Sequence, residues 1–253
     1  MKNFNHTLHI LAAVSLTAGS VAVAKADVDY QINPNTSKLE TVSFTLNGSA
    51  GTDLAGGIGI TETGSSGATG DAPGSYVTVC TDLGSSITLG DTYTYSAPVP
   101  TSPTPAGYLG NPLWSPNGLQ NAVTLFANFG SVLTTGNYDQ AAGLQLAVWT
   151  ALYDSTGVGV INSGPGAYFM ANDSSSPGAY ADMNVYLAGL ASGLPAASGE
   201  ILLPDMKDYA LADAPQDLLL IVPVPEAATI IAAAMLLLSF GTCSLKCLGK
   251  PRV

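Results

Sequence analysis

The hydrophobic period of this chain changes once, and that change constrains its fold more than any other feature. From Asp27 to about Pro100, short runs such as TVSFTLNG (41–48), YVTVCTDL (76–83) and DTYTYSAP (91–98) alternate apolar and polar residues. Glycine-rich stretches, GTDLAGGIG and GSSGATGDAPG, interrupt them. Such alternation belongs on antiparallel strands with one buried face, joined by turns. The proline cluster PVPTSPTPAG, starting at Pro98, ends this regime.

Beyond it the spacing becomes helical. In NGLQNAVTLFANFG, Leu119, Ala122, Val123, Phe126 and Phe129 recur every three to four residues, the signature of an amphipathic helix. In NYDQAAGLQLAVWTALYD the stripe is Ala141, Leu144, Ala147, Val148, Ala151 and Leu152. Asn137 followed by Gln140 reads as a reciprocal cap, and Asp139 suits the positive first turn, so a helix is expected from about 138 to 154. A further helix follows Ser176-Pro177, a cap with proline at the first helical position. Its stripe is Met183, Tyr186, Leu187 and Leu190, and Gly193 is a fitting stop. The segment ILLPDMKDYALADAPQDLLLIV then returns as one or two strands.

The expected class is α+β: an antiparallel β-sandwich or barrel-like region with an inserted or following subdomain of two to three helices, plus a C-terminal membrane helix. There is no internal repeat.

The two ends read as targeting segments. Residues 1–26 carry Lys2, an apolar run from Leu8 to Ala24 and the small-residue pattern Ala24-Lys25-Ala26, the layout of a cleaved secretory signal. The mature chain is then expected to begin near Asp27 and to form an exported domain over 27–222. At the other end, AATIIAAAMLLLSFGTCSL (227–245) is 19 residues without a charge, long enough to cross a bilayer as a helix. Lys246, Lys250 and Arg252 follow in the tail 246–253, the cationic flank expected on the cytoplasmic side. Cys243 and Cys247 share a face of this segment and read as small apolar fillers.

Charge and residue inventory exclude several functions. All 18 acidic residues lie between Asp27 and Glu226, where the only basic residues are Lys38 and Lys207. An acidic field of this kind repels nucleic acid and anionic membrane surfaces. His6 and His9 both fall in the signal, so the mature chain holds no histidine. Ser-His-Asp and Cys-His catalysis and His-ligated zinc are thereby removed. No phosphate-binding glycine loop or dinucleotide fingerprint occurs, and no cofactor or metal is expected. The remaining acid–base arrangement, a carboxylate pair such as Asp82 and Asp154 acting on a sugar, has nothing in the sequence to bring its members together, and solvated loop acids account for both. The chain reads as a binding or structural protein, not an enzyme.

The ending APQDLLLIVPVPEAAT (214–229), with the apolar run and basic tail, resembles a PEP-CTERM sorting signal over residues 223–253. The motif here is Pro225-Glu226-Ala227, with alanine where the second proline stands in the family. The resemblance implies a Gram-negative bacterium, handling by exosortase-type sorting machinery, transient membrane anchorage, and a final place at the cell surface or in the extracellular matrix.

Cys80, in GSYVTVCTDLG (74–84), is the only cysteine of the exported part. An unpaired cysteine in an exported chain is a reactive thiol, an intermolecular partner or a buried filler. LQLAVWTALYD (144–154) resembles the TQxA-type segment of bacterial thioester domains, with a glutamine, a small residue and then a tryptophan. In those domains the matching cysteine lies upstream on a strand. Here Cys80 precedes Gln145 by 145 minus 80, or 65, residues. Val79 stands where the adhesin motif commonly has an aromatic or leucine, and Leu144 replaces its threonine. The resemblance implies an internal thioester between Cys80 and Gln145, with Trp149 shielding the bond from water. It also implies a surface adhesin that captures amines covalently. A noncovalent structural protein of an exopolysaccharide or biofilm matrix, without the bond, is the alternative.

Overall fold

The computed structural model describes residues 27–65, 74–83, 85–96, 99–100, 113–157, 159–161, 167–172, 174–197, 200–202 and 216–220. The segment expected to be a signal (1–26), the Pro225-Glu226-Ala227 motif, the apolar run 227–245 and Cys243 and Cys247 all lie outside them. Among the described residues no helix is long and apolar enough to cross a membrane.

Two long strands, β1 (Val28–Leu46) and β2 (Ser49–Ser65), form a hairpin. Leu46 pairs with Ser49 across a two-residue turn in which Asn47 (φ 47°) and Gly48 (φ 79°) are both left-handed. That geometry matches the right-handed twist of a hairpin and favours this residue pair. Between the partners Asn33↔Gly59 and Lys38↔Gly57 the register shifts: four residues of β1, 34–37, stand opposite the single residue Ile58 of β2. Ser37 knits this bulge, donating to the Asn33 carbonyl at 2.7 Å and accepting from the Gly59 N–H at 3.0 Å.

Then follow β3 (Ser75–Cys80), β4 (Thr92–Tyr95) and β5 (Val99–Pro100). The helices α1 (Gly118–Phe129), α2 (Val132–Thr135) and α3 (Tyr138–Asp154) come next. A small hairpin, β6 (Ser155–Gly157) with β7 (Val160–Ile161), leads to β8 (Phe169–Asn172) and α4 (Pro177–Ala191). Strands β9 (Glu200–Leu202) and β10 (Leu218–Leu220) complete the order. One eight-stranded antiparallel sheet runs β4-β1-β2-β3-β10-β9-β5, and β8 pairs with the far end of β1.

The α+β class and the barrel-like antiparallel region are as the sequence indicates: the sheet is a single curled half-barrel. Four helices are present among the described residues where two to three were expected, and they do not form a subdomain of their own. β8, β9 and β10 come from the C-terminal half, so the helices are inserted between strands of one sheet. They share one apolar core with it, which includes Ile32, Val42, Phe44, Ile60 and Val79 of the sheet and Leu144, Val148 and Leu152 of α3.

The reason lies in α3. Every residue from Ala141 to Asp154 is buried, so the stripe read from sequence is only part of its apolar surface. A helix buried all round must be enclosed by other elements. Here β1, β2 and β8 of the sheet and the helices α1 and α4 all pack against it. Small residues permit the close approach: a β-carbon at Gly143 would sit 2.7 Å from Asp182 Cβ and 2.8 Å from the Ala179 carbonyl of α4.

The expected cap of α3 is present in full. Asn137 Oδ1 accepts the Gln140 N–H at 2.8 Å, and Gln140 Oε1 accepts the Asn137 N–H at 3.1 Å. The expected cap of α4 is not. Pro177 opens the helix, but the Ser176 hydroxyl donates to Glu40 Oε1 on β1 at 2.6 Å instead of capping its own helix. A carboxylate partner makes the stronger bond.

Candidate functional site

Cys80 ends β3 and Gln145 lies in the first half of α3; they are 2% and 1% exposed. The pairing of β3 with β2 runs from Ser75 to Thr78 and stops there. On the opposite edge, β10 takes the backbone: Leu218 pairs with Cys80, and the Thr81 N–H donates to the Asp217 carbonyl at 2.9 Å. Strand alternation turns the Cys80 N–H and C=O the other way, where β2 no longer serves them. Gln145 fills the place. Its Oε1 accepts the Cys80 N–H at 2.8 Å, and its Nε2 donates to the Cys80 carbonyl at 2.6 Å. A side-chain amide thus completes the ladder where a strand is missing, and satisfies two buried backbone groups at once.

The sulfur of Cys80 is a free thiol whose S–H donates to the Asp82 carbonyl at 2.8 Å. Burial pushes this thiol well above its ordinary range. The bond to Asp82 pulls it back, and the negative charges of Asp82, Asp53 and Asp217 push it further up. The resting group is the neutral thiol.

The acids respond in kind. Burial, and then the charge of Asp82, push the Asp217 carboxyl up to about 7. Asp53, on β2, is raised by burial and drawn back by its bond to the Leu54 N–H. Asp82 accepts a hydrogen bond from the Ser85 hydroxyl at 2.7 Å. Tyr153, two turns beyond Gln145 on α3, is raised chiefly by burial; its hydrogen bond to the Leu83 backbone draws it back and the charge of Asp82 pushes it up further.

Trp149, one turn beyond Gln145, is fully buried. Its ring lies 6.2 Å from Phe44 and 6.0 Å from Phe169, and its Nε1 has no hydrogen-bond partner. Asp154 serves the fold: its carboxylate accepts the N–H groups of Tyr168 and Phe169, the latter at 2.7 Å, and ties the end of α3 to β8. Both of its oxygens are occupied by backbone, whereas Asp82 is held in the β3–β4 connection. Among the described residues no group of three or more His, Cys, Asp or Glu side chains is arranged to hold a metal.

Sequence reasoning singles out Cys80 and Gln145, and the structure brings the two together. It does not find Asp53, Asp217 or Tyr153. Asp217 arrives through the pairing of β10 with β3, and the short run QDLLL carries no sign of its partner strand. Comparison with protein-family models, with curated proteins and with solved structures finds no match.

Proposed function

We propose that this chain is an exported surface or matrix protein in which Cys80 and Gln145 join as an internal thioester that captures amines covalently. The observation that carries the reading is the docking of the Gln145 amide on Cys80 by two hydrogen bonds inside a buried strand–helix junction. In the joining step the Cys80 sulfur attacks the Gln145 side-chain carbonyl carbon. The C–N bond breaks, the thiol proton passes to the leaving NH2 group, ammonia departs, and a thioester remains. An incoming primary amine then attacks the same carbon, forms an amide and returns Cys80 as a thiol. Rigid placement of the two groups supplies the effective concentration this exchange needs. Trp149, packed beside Gln145 on the same helix face, would keep water from the bond.

Two further parts of the reading rest on sequence: retention through the 227–245 helix, and handling at Pro225-Glu226-Ala227 by exosortase-type machinery. They give the protein its route to the surface.

A second reading has its own observation. The Gln145 amide and the Cys80 thiol are both satisfied by hydrogen bonds, so the pair also works as a noncovalent clamp in a structural protein of an exopolysaccharide or biofilm matrix.

Intact mass separates the two. The thioester form is lighter than its sequence by one ammonia, and Gln145→Ala or Cys80→Ala brings back the full calculated mass. Cys80→Ala leaves untouched the backbone that Gln145 holds, so it serves if Gln145→Ala fails to fold. A wild-type chain at full mass whose Cys80 reacts with thiol reagents once the chain is unfolded overturns the thioester and leaves the clamp.

A further inference from the structure

Where β8 meets the first turn of α4, the surface opens into a cavity of 220 Å³ lined by Thr45, Met170, Ala171, Asn172 and Tyr180. None of these residues belongs to β3, β10 or α3, the elements that hold Cys80 and Gln145. The register builds one wall. Thr45 pairs with Met170 and Ser43 with Asn172, and residues directly opposite, or two apart on a strand, share a face. Thr45, Met170 and Asn172 therefore stand together on the face opposite to the buried Phe44 and Phe169. Tyr180 brings the other wall from α4. Two contacts hold that turn of helix in place: the Ser176 hydroxyl is tethered to Glu40 of β1 at 2.6 Å, and Ala179 is fully buried against Gly143 of α3.

The polar groups of this cavity have capacity to spare. Asn172 Oδ1 accepts the Ser174 N–H at 2.9 Å, which leaves its Nδ2 as a donor. Among the described residues no hydrogen bond occupies that Nδ2, the Thr45 hydroxyl or the Tyr180 hydroxyl. Met170, Ala171 and the Tyr180 ring add apolar surface, and no charged side chain lines the space. We propose that this cavity is a subsite for one neutral sugar unit of a polysaccharide, with Tyr180 as the ring platform and Thr45, Asn172 and the Tyr180 hydroxyl as the polar contacts.

A sugar ring presents hydroxyls at its rim and C–H bonds on its faces, and the cavity matches both. Two hydroxyls able to donate or accept and one amide donor meet the rim; the negative face of the tyrosine ring meets the weakly positive C–H bonds. Other ligand classes fit less well. A wholly apolar ligand would strip water from three polar groups and give nothing back. An anionic one would find no cation: the chain carries a net charge of -11, and the Lys38 ammonium is already held by the carbonyls of Thr134 and Gly136 at 2.6 and 2.7 Å. A cationic one would find no carboxylate in the lining. The volume lies below the ~300–1,000 Å³ of sites for drug-sized ligands, so it takes one ring while the rest of the polymer continues past the open side. Strand and helix hold the groups in advance, which lowers the ordering cost of binding. The subsite rests on the reading of the chain as a surface or matrix protein and not on the thioester.

The test is saturation-transfer NMR on the purified full chain, kept in a zwitterionic detergent so that no sugar headgroup competes. The probes are the methyl glycosides of glucose, galactose and mannose, with methyl glucuronide as the anionic control and the peptide Gly-Ala-Gly as the control that is not a sugar. At least one neutral probe should bind with a dissociation constant on the order of millimolar, the range for a single small ring. The glucuronide should bind several-fold more weakly. Thr45→Val/Tyr180→Phe keeps both shapes and removes both hydroxyls, and should weaken binding about tenfold. Asn172→Asp, which retains the acceptor for Ser174, should weaken it several-fold, and Tyr180→Ala should abolish it. Thermal melts check that each variant folds; the double variant breaks no hydrogen bond within the described residues, so it decides if Tyr180→Ala does not fold. No transfer to any neutral sugar up to about 50 mM, equal binding by the double variant and the wild type, preference for the glucuronide, or transfer to the peptide alone overturns the subsite. Neither the intact mass of the chain nor its place in the cell enters this measurement, so the subsite and the function proposed above fail separately.

Discussion

At the scale of single residues, Gln145 carries two tasks that mutation can separate. Removing its amide leaves the Cys80 N–H and C=O facing a cavity, and buried unpaired groups cost about 1–3 kcal/mol each. Relative to the chain with the two residues unjoined, Gln145→Ala should therefore lower the unfolding free energy by about 2–4 kcal/mol in denaturant titration, whereas Cys80→Ala, which keeps both hydrogen bonds, should cost clearly less. Asp217 sets a pH dependence. Its carboxyl is raised to about 7 in the folded chain, first by burial and then by Asp82, so the folded state binds more protons than the unfolded state between the ordinary carboxylate range and neutrality. This residue's contribution is most favourable in acid and is lost as the pH climbs toward 7 and beyond. Asp217→Asn should flatten that slope and raise the melting temperature at pH 8, measured by calorimetry against the wild type. A steeper slope in the variant would contradict the assignment. The sequence shows Cys80 and Gln145 because their types, their order and their immediate neighbours stand out. It hides Asp217, because nothing in its local pattern names the strand it lies beside.

Elements differ in how openly the sequence displays them. α3 is read with its bounds intact, 138 to 154, because its start is written in a local capping box and its end in a loss of period. The strands at the C-terminal end are also foreseen, but their partners are not. The β1–β2 hairpin is longer than the alternating run TVSFTLNG suggests; the turn signal Asn47-Gly48 inside that run would have marked it. Ser176 looks like a cap and is instead a tether to Glu40, since the choice between its own helix and a distant carboxylate is made by tertiary structure. These distinctions can be measured. Asn137→Ala should cost about 1 kcal/mol through loss of the cap. Gly143→Ala sets two rules against each other: helix propensity favours alanine by about 1 kcal/mol, but the added carbon meets Asp182 and Ala179 at less than 3 Å, and overpacking costs about 1–3 kcal/mol. A net loss of stability in thermal melts is expected, because one neighbour is backbone and cannot swing aside.

For the whole molecule, the order of connections matters as much as the site. β10 is three residues long, yet it lies against the strand that ends in Cys80, and only a few residues of chain separate it from Pro225. Leu218 and Leu219 are fully buried. In a chain whose Cys80 has been returned to the thiol by amine treatment, Leu219→Asp should release β10 and open Cys80 to maleimide labelling under native conditions; protection equal to the wild type treated in the same way would show that β10 is dispensable to the cover. The same placement has a mechanical meaning. If a target is joined at Gln145 and the chain is held beyond Leu220, a pull between them reaches the bonded pair across a ladder only as long as β10. That short seam would be the first to slip, so the resistance of such a link to shear would be set by a few backbone hydrogen bonds and not by the covalent bond they lie beside.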